Sequence, residues 1–148
     1  MKLCQSGSVD VVVNCAAFTD TAKCEDKAFL KQSYEANVLG VQQLASTCAY
    51  YKVKFVHIST DYVYSHYSYN EQPWIYEFPC NTYGMQKLLA EEKIKTLYAR
   101  WPKGHLICRM SWLYGITNKD LFMYKILASA YKAKAQLMND SSQKGVFV

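Results

Sequence analysis

The feature that most constrains this chain is an alternation of two periodicities. Short β-branched runs, VDVVVNCAAF (9–18), VKFVHIS (53–59) and HLICRMS, take turns with longer stretches whose apolar residues recur every three or four positions. An apolar run of strand length fits a strand buried on both faces. The first helix is expected from about Glu25 to Tyr51, with Leu30, Tyr34, Val38, Val41, Leu44 and Cys48 along its apolar face. A second runs from about Thr82 to Arg100, capped by Asn81 or Thr82, and a third from about Asp120 to Lys134. The tail LMNDSSQKGVFV reads as the start of a fourth strand. Strand and helix in alternation predict an α/β fold: a parallel sheet with crossover helices on its faces.

Length and composition narrow the rest. A chain of 148 residues without a repeat or a Gly/Ser-rich linker is expected to form one domain. The net charge of +5 is spread over isolated residues such as Lys23, Lys27, Lys31, Lys52 and Lys54, not gathered into a stripe that would bind nucleic acid. The six cysteines form no C-x-x-C pair, so no metal site or redox motif is expected. Cys15, Cys48 and Cys108 sit in apolar segments and read as small hydrophobes in a reducing compartment. The first ten residues hold no signal-like apolar run, and no stretch has the 18 or so apolar residues that a membrane span needs. The expectation is a cytoplasmic protein without a membrane or nucleic-acid partner.

In a parallel α/β sheet, ligands sit beyond the carboxyl ends of the strands. Cys15-Ala16-Ala17, Ser59-Thr60-Asp61 and Ser111-Trp112 follow the three strands there. Tyr83 and Lys87 are four apart at the start of the second helix, hence on one face, about 6 Å apart along the axis. A free phenol, with a pKa near about 10, is a poor proton donor at neutral pH. An ammonium beside it lowers that value. Lys87 can also reach the hydroxyls of a nicotinamide ribose, and Thr60 can hydrogen-bond a substrate carbonyl. These are the needs of carbonyl reduction: a hydride from a cofactor, a proton from Tyr83 and a polarising contact from Thr60.

Y-x-x-x-K alone is weak in a chain with thirteen tyrosines, and its place one loop after a strand ending in Ser-Thr is what lends it weight. His57 reads as a core or supporting histidine, and His66 and His105 as surface residues. Glu25, Asp26, Glu91 and Glu92 read as solvated helix charges. Tyr64, Tyr67, Tyr69 and Tyr76 either cover a ligand or pack their own loop, and the sequence leaves both open.

Five stretches, VDVVVNCAAFT (9–19), EANVLGVQQLA (35–45), VHISTDYVY (56–64), PCNTYGMQKLLAEE (79–92) and CRMSWLYG (108–115), carry a family resemblance. Together they resemble the extended short-chain dehydrogenase/reductases, and within them the dTDP-4-dehydrorhamnose reductases. The resemblance implies a Rossmann-type sheet and NADPH or NADH as cofactor. It implies a nucleotide-linked 4-keto-6-deoxy sugar as substrate, with Thr60, Tyr83 and Lys87 catalytic. Ala16, Ala17, Thr19 and Ser59, with Tyr83 and Lys87, would face the cofactor. Tyr62 and Trp112 would face the sugar nucleotide, and Asn37 matches a family asparagine. Residues 60–80 and 116–148 would contribute to the substrate side. Related dehydratases carry an acid after Thr-Asp; Tyr62 stands there, which favours reduction. Epimerases more often have Ser or Thr where Asp61 sits, which makes an epimerase the weaker alternative.

The departures are equally specific. None of the six glycines forms G-x-G-x-x-G or a looser equivalent, so the turn that admits a cofactor pyrophosphate is missing. The expected fold is thus a partial Rossmann-type sheet lacking its first βαβ half, a single partial domain over 1–148. Ala22 and Met110 replace a family Asp and Thr. A bare strand edge at 9–15 is expected to invite self-association or a complementing N-terminal segment. A non-catalytic remnant or interaction module of the family remains the alternative from another class.

Overall fold

Three apolar runs become parallel strands: β1 (Val11–Asn14), β2 (Lys54–Thr60) and β3 (His105–Met110), in the order β1-β2-β3. The structure, a computed structural model, describes residues 2–64, 77–111, 113 and 125–133. The α/β class with crossover helices is therefore as the sequence predicts. Register sets Asn14 opposite His57, and His57 opposite Ile107. Two polar side chains thus meet across the first pairing at the carboxyl end of β1.

Helices α1 (Lys2–Gln5), α2 (Thr21–Glu25), α3 (Lys27–Tyr34), α4 (Gly40–Tyr50) and α5 (Thr82–Leu97) complete the frame. The single helix expected over 25–51 is divided. Asp26 has extended backbone angles and takes the N–H of Ala28, so it caps α3 and breaks it from α2. Asp20 caps α2 by accepting from Lys23. Between α3 and α4 the chain widens into one π-helical turn, Glu35–Leu39, which holds Asn37.

The apolar core joins α4 and α5 to one face of the sheet through Val41, Ala45, Cys48, Val53, Phe55, Ala90, Ile94 and Tyr98. Tyr98 buries its ring and donates its hydroxyl to the carbonyl of Val53. The expected apolar stripe is only half right. Val38, Val41 and Cys48 are buried, whereas Leu30, Tyr34 and Leu44 are exposed. The buried face instead carries Ser33 and Asn37, both answered by Gln86 of α5. Among the cysteines, Cys48 is buried as expected, Cys15 is exposed, and Cys24 is a buried one not foreseen.

The chain divides into two compact units, Met1–Met110 and Ser111–Val148. In the second, residues 125–133 are helical, inside the span expected for the third helix. Trp112, His66, Tyr67, Tyr69, Tyr76 and the expected fourth strand lie outside the described residues. Among those described, no helix is long and apolar enough to cross a membrane.

Candidate active site

The site is assembled where β2 ends against the first turn of α5. Thr60, the last residue of β2, accepts the N–H of Tyr62 at 3.2 Å and donates to the Asp61 carboxylate at 3.3 Å. It thereby caps the short 3-10 turn Asp61–Val63. Asn81 caps α5 by accepting from Gly84 at 2.7 Å, and Thr82 gives its N–H and hydroxyl to Glu25 at 2.6 and 2.8 Å. Glu25 is therefore a clamp between α2 and α5, not merely a solvated charge.

Gly84 brings the two pieces together. A Cβ there would lie 2.2 Å from the carbonyl oxygen of Tyr62 and 3.1 Å from Asn81 Oδ1. The close approach stacks the rings of Tyr62 and Tyr83 edge to face, 6.3 Å between centroids at 88°. Thr60, Tyr62 and Tyr83 are thus gathered around one turn. Gly84→Ala must push backbone from backbone, and is expected to destabilise the protein by about 1–3 kcal/mol. Chemical denaturation checks this, and an unchanged midpoint would contradict it.

Lys87 lies one turn along α5, yet its amine is aimed inward. It donates to the Ile58 carbonyl at 2.6 Å and sits 3.2 Å from His57 Nε2, with 2% of the residue exposed. Burial pushes Lys87 down to about 8, with the Glu91 carboxylate opposing the shift. The Tyr83 phenol moves up, first through burial and then through Cys24, Asp61 and Tyr62. The sequence expectation of a phenol acidified by Lys87 is therefore reversed. The physical reason is burial of the phenol, while Lys87 spends its amine on β2.

His57 is buried, and burial followed by the nearness of Lys87 pushes it down to about 3. Both bases bind fewer protons folded than unfolded. For His57 the window runs from about 3 to 6.5, and for Lys87 from about 8 to 10.5. Stability rises with pH across each window, because there the unfolded chain holds the extra proton. For Lys87 the gain is on the order of 3 kcal/mol. Cys24 and Cys48, both shifted up by burial, act in the opposite sense above pH 9, and Tyr83 and Tyr98 above pH 10. The urea midpoint is thus expected to climb between pH 8 and 9. In Lys87→Met that climb should vanish; if it persists, burial of the lysine is not its cause.

Ser59, expected at the cofactor, gives its hydroxyl to Glu91 at 2.5 Å. Alternation along β2 puts it with Phe55 and His57 on the helix-facing side. Glu91 was expected to be a solvated charge but is fully buried, gripped by Arg109 through Nε at 3.1 Å and Nη2 at 2.5 Å. Arg109 also reaches the Tyr64 hydroxyl at 2.6 Å and the carboxylate of Glu77. His105, expected at the surface, packs its ring on Tyr98 with centroids 5.3 Å apart.

Ala16 and Ala17 line a hollow of about 400 Å³ at the tip of β1, with Asn14, Phe18, Gly40 and Leu44 among its other walls. Its size and small, mostly apolar side chains suit part of a dinucleotide. Thr19 is exposed just beyond it. Asn37 steadies this tip, accepting from Phe18 N–H at 2.8 Å and donating to its carbonyl at 3.1 Å. Among the described residues, no cluster of His, Cys, Asp or Glu is suited to a metal ion.

Residues 1–145 match the protein family described as RmlD substrate binding domain. The chain belongs to this family. It is 30% identical over 145 residues to the dTDP-4-dehydrorhamnose reductase of Mycobacterium tuberculosis, a match covering 94% of this chain and 46% of that protein. The crystal structure of a dTDP-4-dehydrorhamnose reductase from Clostridium acetobutylicum superposes with a TM-score of 0.73 at 30% identity, over 88% of this chain and 44% of that one. A Bacillus anthracis dTDP-4-dehydrorhamnose reductase, solved in complex with NADP, gives 0.70 at 26% identity over the same shares. The chain thus spans just under half the length of these RmlD-family relatives.

Sequence reading missed the polar side chains that hold this RmlD-type site from behind: Ser33, Gln86, Glu91 and Arg109. One signal was present for Glu91. It stands four residues after Lys87 and eight after Tyr83, on the same helical face.

Proposed function

We propose that this chain carries the proton-donating and sugar-facing part of an NAD(P)H-dependent reductase of a nucleotide-linked 4-keto-6-deoxy sugar, of the dTDP-4-dehydrorhamnose type. The observation that carries the reading is the gathering of Thr60, Tyr62 and Tyr83 at one strand tip by the close approach at Gly84. The names of the relatives support the substrate class, and the NADP complex of one supports the cofactor.

A nicotinamide cofactor, when bound, supplies the hydride. Ala16, Ala17 and Thr19 bound its side of the cleft, and the NADPH and NADH forms are both candidates. Tyr83 keeps its proton at neutral pH and passes it to the carbonyl oxygen as that oxygen takes on negative charge. Thr60 polarises the same carbonyl once its hydroxyl turns from Asp61. Tyr62 packs against the sugar, and Trp112 is assigned the same role from the sequence. Lys87 orients the nicotinamide ribose when it turns outward.

The test is oxidation of NADPH, and separately of NADH, by the chain supplied with an N-terminal strand–turn–helix segment that carries a glycine-rich phosphate turn, with and without dTDP-4-dehydrorhamnose. Sugar-dependent oxidation is expected, and none with either cofactor would count against the reading. A second reading, a module that binds without turnover, is favoured by one observation: Val11 and Val13 stand exposed on β1, at the end of the strand order. Calorimetric heat on adding NADPH, without oxidation, would select it.

A further inference from the structure

The strand tips hold a chain of hydrogen bonds whose donors can be assigned in only one way. Asn14 Oδ1 accepts the backbone N–H of Ala16 at 3.2 Å. Its amide nitrogen therefore faces His57 Nδ1, at 3.1 Å. An amide nitrogen only donates, so Nδ1 is bare and accepts. A neutral imidazole with a bare Nδ1 carries its proton on Nε2, which points at Lys87 Nζ 3.2 Å away. An ammonium has no lone pair to receive that proton. Lys87 in this arrangement is a neutral amine, accepting from His57 and donating to the Ile58 carbonyl.

We propose that His57 is a positioning residue whose tautomer ties the protonation of Lys87 to the backbone N–H of Ala16 at the tip of β1. In the arrangement seen, Lys87 is neutral and turned inward. When a ligand takes the Ala16 N–H, Asn14 is free to rotate its amide and offer Oδ1 to the ring. The ring proton then resides on Nδ1, Nε2 becomes an acceptor, and Lys87 takes up one proton from solvent to become an ammonium. The site would gain the cation beside Tyr83 only when the cleft is filled. That consequence rests on the reductase reading; the hydrogen-bond logic does not.

The surroundings permit both states. His57 from β2 and Glu91 from α5 face Lys87; Glu91 is itself paired with Arg109 from β3 and bonded to Ser59 from β2. Asp61, in the turn past β2, bears on Tyr83. From β1 only the neutral Asn14 approaches the ring. The lowered value of His57 agrees with a neutral ring, and burial moves Lys87 in the direction of the neutral amine.

Nitrogen-15 spectroscopy of the histidine rings reads the tautomer directly in the intact chain without substrate, and carbon-13 labelling at lysine Cε reads the titration of Lys87. His57 is expected with its proton on Nε2 and Nδ1 bare. In Asn14→Asp the second carboxylate oxygen must accept from Nδ1, so the proton should move there. The protonation equilibrium of Lys87 should then shift by about tenfold or more toward the ammonium. In the double variant Asn14→Asp/His57→Phe, which has no tautomer to switch, most of that shift should disappear. A wild-type ring protonated on Nδ1 would overturn the proposal, and so would a full shift in the double variant. The wild-type spectrum decides the first point even if a variant fails to fold, and neither readout depends on turnover.

Discussion

Arg109→Leu is expected to lower the stability of the fold by about 3–5 kcal/mol, the loss found when one partner of a buried ion pair is removed. The size follows from what is left behind. Glu91 is fully buried, and its two oxygens are answered by Ser59 and by the Arg109 fork. Without the guanidinium, a carboxylate remains in the core with one hydroxyl for company. The same substitution releases Tyr64 and Glu77, which pair as an isolated antiparallel bridge beside Arg109. Arg109→Leu/Glu91→Leu should recover much of the loss, because no charge is then stranded. By contrast, Glu92→Gln breaks only an exposed pair with Lys95 and should change stability by less than about 1 kcal/mol. Urea denaturation of the four proteins checks the ranking, and equal effects from Glu92 and Arg109 would contradict it.

Tyr83→Phe is expected to reduce kcat for the keto sugar by about 10²–10⁴-fold, the usual worth of a positioned proton donor. The substitution keeps the ring that meets Tyr62 edge to face and removes only the oxygen. Packing at the strand tip should therefore survive, and KM for the sugar should change far less than kcat. Because burial raises the phenol, the activity of the wild type should not fall as pH climbs through 8 and 9 for want of the Tyr83 proton. Turnover kinetics of the two proteins, with the denaturation midpoint as a folding control, decide the matter. A Tyr83→Phe enzyme within a few-fold of wild type would remove Tyr83 from its assigned role.

The strands were legible because β-branched runs such as 53–59 have few other uses in a helix-rich chain. The helix boundaries were less so. Asp26 looks like a helix charge until its extended backbone makes it a cap. Leu30, Tyr34 and Leu44 have the right period, yet they stand exposed, while Ser33 and Asn37 are buried. A period marks which residues share a face, not which face meets the sheet, and polar residues can take the inner face when Gln86 answers them from another helix. At the site, Thr60, Tyr62 and Tyr83 could be placed from strand ends and helix spacing. The direction of Lys87 could not. It depends on His57, a residue thirty positions earlier, whose ring is oriented by Asn14 on a third element.

The most direct measurement is the mass of the sugar nucleotide recovered after the chain, supplied with an N-terminal segment that carries a glycine-rich phosphate turn, is incubated with dTDP-4-dehydrorhamnose and NADPH deuterated at the transferable C4 position. A reductase built on Thr60 and Tyr83 delivers that deuterium to the sugar carbon as the keto group becomes an alcohol, and the Tyr83→Phe protein does so far more slowly. Unreduced, unlabelled sugar from the folded wild-type chain would contradict it.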